Sequence, residues 1–86
     1  METKVMDFGQ DVNLSGKVLD SATNKPVEGA TVFVKEMNKT IFSDQKGRYS
    51  FNLEKGKYQL QVYSLGSETI SQQIILQKDT VIDFYL

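Results

Sequence analysis

Apolar and polar positions alternate with a period of two along most of the chain. From Lys57 to Tyr63, Tyr58, Leu60 and Val62 fall on one side and Gln59, Gln61 and Tyr63 on the other. Tyr49, Phe51 and Leu53 oppose Arg48, Ser50 and Asn52 in the same way, and Ala30, Val32 and Val34 oppose Thr31, Phe33 and Lys35. Ile82, Phe84 and Leu86 alternate with Val81, Asp83 and Tyr85. Successive strand side chains point to opposite faces, so each run predicts a strand with one buried face. Val12 to Leu19 and Glu68 to Leu76 follow less cleanly. The triplet Ile74-Ile75-Leu76 suggests a bulge or two covered faces, and Lys39 to Ser43 is a weak, short strand candidate. No window of a dozen residues carries a helical period.

Turn residues separate these runs. Ser21 to Pro26 is a polar loop ending on the only proline. Asp44-Gln45-Lys46-Gly47 begins with a side-chain acceptor and ends on a residue free to take φ > 0, which predicts a tight hairpin. Glu54-Lys55-Gly56 repeats the signal, and Leu65-Gly66-Ser67 makes the next break. Turns recurring at about 8–12 residues predict an all-β sandwich or barrel. Residues 1–11 have no period and read as a flexible lead-in or linker, leaving 12–86 as the structured domain. A chain that stops on its last strand leads us to expect a domain of a longer protein, with Met1 either native or added in front of it.

Composition narrows the chemistry. The 86 residues carry ten basic and eleven acidic side chains, a net charge of −1, so no charge excess points to nucleic acid. No run of 18 apolar residues occurs, so the segment is not expected to insert directly into a membrane. Cys and His are both absent. Thiol and imidazole nucleophiles, imidazole bases and the usual zinc or copper ligand sets are therefore excluded, and no cofactor is expected.

Several short motifs stand in order: Ser15-Gly16-Lys17-Val18-Leu19-Asp20, Pro26-Val27-Glu28-Gly29-Ala30-Thr31-Val32, Asp44-Gln45-Lys46-Gly47-Arg48-Tyr49, then Gly56-Lys57-Tyr58-Gln59-Leu60-Gln61-Val62 and Gly66. Together they resemble the carboxypeptidase-regulatory-like domain family from about Leu14 to Leu86. Ser67 departs from the pattern, which places an aromatic residue after that last glycine. The resemblance implies a seven-stranded Greek-key β-sandwich of transthyretin-like (prealbumin-like) fold, with two antiparallel sheets. It brings no catalytic residues. Hydroxyisourate hydrolases of similar fold rely on histidines that this chain lacks. The resemblance also implies an extracytoplasmic setting in the periplasm, outer membrane or cell surface. There the domain would be a non-catalytic accessory, similar to the N-terminal extension of TonB-dependent outer-membrane transporters. Its partners would be the other domains of its parent or another envelope protein, with a glycan as the alternative for a carbohydrate- or peptide-binding module.

The remaining candidates are weighed on their residues. Gly29 and Gly47 precede no helix, so they read as turn glycines and not as a phosphate cradle. Asp20, Glu28 and Asp44 match no loop that supplies six to eight oxygens to calcium, which leaves turn capping for the two aspartates. Lys17 and Asp83, with Glu28 or Glu68 as proton shuttle, could form an isopeptide link only if buried, and their phases face outward. The outward aromatics Phe33, Tyr63 and Tyr85 are the candidate contact surface: two or three rings on one sheet face would seat a sugar ring or an apolar edge. The expected core is Leu14, Val18, Ala30, Val32, Val34, Tyr49, Phe51, Leu53, Tyr58, Leu60, Val62, Ile70, Ile74, Ile82, Phe84 and Leu86.

Overall fold

The computed structural model describes residues 11–86. The lead-in expected over residues 1–11 therefore lies outside the described residues, except for Asp11. Eight strands form among the described residues: β1 Val12–Leu19, β2 Thr31–Val34, β3 Lys39–Phe42, β4 Arg48–Leu53, β5 Gly56–Tyr63, β6 Ile70–Leu76, β7 Thr80–Val81 and β8 Phe84–Tyr85. They make two layers. One sheet has the order β4-β1-β7 with β8 also on β1, and the other has the order β3-β2-β5-β6.

The period-two pattern becomes the core directly. Strand β4 alternates exposed and buried at every residue, and Tyr58, Leu60 and Val62 of β5 turn inward. Leu14, Val18, Val32, Val34, Leu60 and Val62 have no exposed surface, and Tyr49, Phe51 and Phe84 fill the space between the layers. The rings of Tyr49 and Phe84 lie 5.8 Å apart in a tilted pair, a geometry that adds to simple area burial. Thirteen of the expected core residues are buried, while Ile70, Ile82 and Leu86 are only partly covered. Val12 and Leu76 join the core instead. The triplet Ile74-Ile75-Leu76 is neither bulged nor doubly covered: Ile74 and Leu76 point inward, and Ile75 is 62% exposed.

Three expectations about connectivity are corrected. The turn Asp44–Gly47 is tight but closes no hairpin, because β3 and β4 belong to different sheets. The turn Glu54–Lys55 also crosses the sandwich, from β4 to β5. The true hairpins are β2–β3, closed through a 3₁₀ turn at Lys35–Met37 and Asn38 at φ 50°, and β5–β6. Nor are both sheets antiparallel, since β7 and β8 each run parallel to β1. The single expected last strand is two short ones, which brings the count to eight. All four of their pairings hold one register along β1, from Leu14 against Thr80 to Leu19 against Tyr85, so one ladder is interrupted without slipping.

The cause of that interruption is local. Gly16 sits opposite Tyr49 on the inward side of β1. A Cβ at Gly16 would lie 1.8 Å from the Ile82 carbonyl oxygen and 3.1 Å from the tyrosine ring, so only glycine lets both approach. The Tyr49 hydroxyl donates to that carbonyl at 2.6 Å. With Ile82 O so occupied, the Lys17 N–H donates to Asp83 Oδ1 at 2.9 Å. Asn13 N–H makes the same substitution with Asp79 Oδ1, also at 2.9 Å.

Candidate functional site

The outer face of the β3-β2-β5-β6 sheet carries two of the three aromatic residues singled out in the sequence, Phe33 and Tyr63. On β2, Thr31 pairs with Tyr63 of β5 and Phe33 pairs with Gln61. Phe33 and Tyr63 are thus diagonal neighbours on one face, within reach of each other's rings. Tyr63 is 40% exposed and Phe33 is half-buried between the flanking strands. Tyr85 does not join them. It lies on β8 of the opposite sheet, where it borders a cleft of about 500 Å³ with Leu65, Ile70 and Leu86.

Sequence reasoning missed Phe42. It pairs with Thr31 from the other side, completing the row Phe42–Thr31–Tyr63, and it is 65% exposed. The signal was present: in a β2–β3 hairpin that sets Val32 against Ile41, Phe42 must share the outward phase of Thr31. Beside this row runs Thr40–Phe33–Gln61. At the end of its edge strand Phe42 also borders a second, open cleft of about 700 Å³, lined by Ser15, Lys17, Arg48, Ser50 and Val81 of the other sheet.

The acids have structural partners. Asp20 Oδ1 accepts the N–H groups of Ala22 and Thr23. Asp44 Oδ1 accepts those of Lys46 at 2.9 Å and Arg48 at 2.8 Å, and its other oxygen faces the Arg48 guanidinium at 3.4 Å. The Arg48 N–H is the largest influence holding the Asp44 carboxyl below its usual range, partly opposed by lost hydration. Glu28 is exposed in its turn. Among the described residues no three acids gather as metal ligands. Lys17 and Asp83 meet, but through a main-chain N–H, with both residues exposed as their phases predict.

Buried polar groups serve the same purpose. The Ser43 hydroxyl, 4% exposed, accepts the Ala30 N–H and donates to the Val27 carbonyl. The Tyr58 hydroxyl donates to Glu54 O at 2.6 Å across the β4–β5 crossing. Burial raises the pKa of both Tyr49 and Tyr58, making them weaker acids, with the charge of Asp83 adding to the effect at Tyr49 and that of Glu54 at Tyr58. Gly47 takes φ +76° with no room for a Cβ beneath the Val18 carbonyl at 2.6 Å, and Gly29, at φ +78°, stands in open space. Both are turn glycines. Ser67, at the position where an aromatic residue was expected, has its hydroxyl accept the Ser64 N–H and donate to the Ser64 carbonyl, closing the β5–β6 loop.

Comparison with known proteins agrees with this architecture. The family model described as CarboxypepD_reg-like domain matches residues 14–86, and the chain belongs to that family. No curated protein sequence matches it. Among solved structures it is similar to a DUF3823 family protein from Bacteroides ovatus, at TM-score 0.70 and 20% identity over 87% of this chain and 42% of that one. It is also similar to the 5-hydroxyisourate hydrolase of Klebsiella pneumoniae, at TM-score 0.62 and 19% identity over 84% and 90% of the two chains. A candidate carbohydrate-binding protein from Bacteroides uniformis aligns at TM-score 0.63 and 19% identity, over 87% of this chain and 40% of that one. The chain thus spans less than half the length of the Bacteroides structures it matches. These identities establish a shared fold, the transthyretin-like sandwich.

Proposed function

We propose that the domain is a non-catalytic extracytoplasmic accessory module of a larger protein, in the manner of the N-terminal extension of a TonB-dependent outer-membrane transporter. Its work is mechanical: it spaces or docks its parent through an exposed sheet face or a strand edge. The observation that carries this reading is where the polar side chains are spent. Asp20, Asp44, Asp79 and Asp83 accept main-chain N–H groups, while Ser43, Tyr49 and Tyr58 donate to main-chain carbonyls. Groups that an enzyme would aim at a substrate here hold the fold together. Membership of a regulatory-like domain family and the short span relative to the Bacteroides structures support the same reading.

The test is deletion of residues 14–86 from the full-length protein that carries them, with its level in the envelope monitored. Loss of assembly or uptake is expected, while the isolated chain turns over no ester, amide, glycoside or 5-hydroxyisourate. Turnover of any of these would overturn the proposal.

A second reading has its own observation. The diagonal pair Phe33 and Tyr63 on a solvent-facing sheet suits a carbohydrate- or peptide-binding module, and the similarity to the Bacteroides uniformis protein leans the same way.

A further inference from the structure

We infer that the outer face of the β3-β2-β5-β6 sheet docks a neutral oligosaccharide laid across its strands; this rests on the binding-module reading and gives it a ligand class. The argument starts from two adjacent rows, Phe42–Thr31–Tyr63 and Thr40–Phe33–Gln61. None of the six is charged, in a protein where charged residues are 24% of the sequence. The charges that border the two rows are the exposed Lys35, two positions beyond Phe33, the Glu36 carboxylate, which accepts the Gln59 N–H, and Lys57, two positions beyond Gln59.

Geometry and chemistry then agree. Phe42 and Tyr63 flank Thr31 at two strand spacings, about 9.5 Å apart, and Phe33 stands on the middle strand one row further, about 6.6 Å along it. Three rings spread over such a distance offer successive flat surfaces to the apolar faces of pyranose rings. The threonine hydroxyls and the Gln61 amide between them both donate and accept, as a polyhydroxyl ligand requires. A uronic acid, a phosphorylated sugar or an acidic peptide would find no countercharge in either row. Phe42 and Tyr63 keep 65% and 40% of their surface exposed, so the rings are available without rearrangement.

The experiment is an amide-resolved NMR titration of the 86-residue chain with cellohexaose, maltohexaose, mannohexaose and, as comparators, hexagalacturonate and a neutral Phe-rich decapeptide. At least one neutral hexasaccharide should shift the amides of Thr31 to Phe33 and Gln61 to Tyr63. Tyr63→Ala should weaken that binding at least tenfold with an unchanged melting temperature. Phe33→Leu keeps an apolar side chain at the half-buried position while removing the ring, and should weaken binding similarly. Tyr85→Ala, on the opposite sheet, should leave affinity untouched. Silence from all three neutral sugars overturns the inference. So does a response to hexagalacturonate or the decapeptide alone, or equal affinity in Tyr63→Ala. The deletion phenotype of the accessory reading is independent of each of these outcomes.

Discussion

Asp83 Oδ1 accepts the backbone N–H of Lys17 at 2.9 Å, in the place a main-chain carbonyl would hold in an uninterrupted parallel ladder. The displaced carbonyl, that of Ile82, turns inward to the Tyr49 hydroxyl. A side chain therefore stands in for the backbone where β7 passes into β8. Asp83→Asn keeps the acceptor and should leave stability nearly unchanged. Asp83→Ala removes it and should cost about 1 kcal/mol. Urea unfolding of the two variants reads the difference directly.

Gly16 is needed for space and not for an unusual backbone angle. An alanine methyl there would meet the Ile82 carbonyl oxygen at 1.8 Å, a main-chain atom that cannot simply swing aside. Gly16→Ala should lose about 1–3 kcal/mol or more through overpacking. Pairing it with Tyr49→Phe should give non-additive losses, because both act on one carbonyl. Additive losses would mean that the two residues are independent.

Neighbouring positions on β6 should behave in opposite ways. Leu76 is fully buried, and Leu76→Ala should cost about 2–5 kcal/mol. Ile75 lies on the outer face, so Ile75→Thr should change stability by no more than about 0.5 kcal/mol. Thermal melts of the two variants separate strict alternation from the bulge that the apolar triplet suggests in sequence.

Both ends of the pH range should erode stability for identifiable reasons. Tyr49 holds its proton more tightly folded than unfolded, chiefly through burial, with the Asp83 charge second. Its contribution is complete below the unfolded value near 10.0 and declines as pH rises beyond it, because the unfolded chain ionises first. Tyr58 acts in the same sense. Tyr49→Phe should flatten the alkaline limb of a stability–pH curve. Asp44 is shifted the other way, so its contribution is present above 3.8 and is lost as pH falls through the lower folded value. Asp44→Asn should flatten the acid limb.

The legible and illegible parts of this fold differ in their physics. Burial sides were legible because alternation is a local rule: β4 and β5 follow it at every inward position. Partners were not. Asp44 and Gly47 satisfy the same turn chemistry whether the next strand returns to its sheet or crosses to the other, and β4 crosses at both ends. The parallel docking of β7 and β8 on β1 spans 66 residues and leaves no local trace. The candidate contact surface divides along the same line. Phe33 and Tyr63 share one sheet face because β2 pairs with β5, whereas Tyr85, equally outward by phase, belongs to the other sheet.

Among the described residues, strand β1 meets its sequence neighbours only at the isolated Leu19–Pro26 bridge, and its strand partners are distant. It waits first for β4 and then for the final residues, with Leu19 paired to Tyr85. On a ribosome its second edge would stay bare until almost the whole domain had been made and released from the exit tunnel. Closure between such distant segments belongs to the slow regime of about milliseconds to seconds. A nascent chain stalled before Thr80 would present an open β1 edge to chaperones and to other copies of itself.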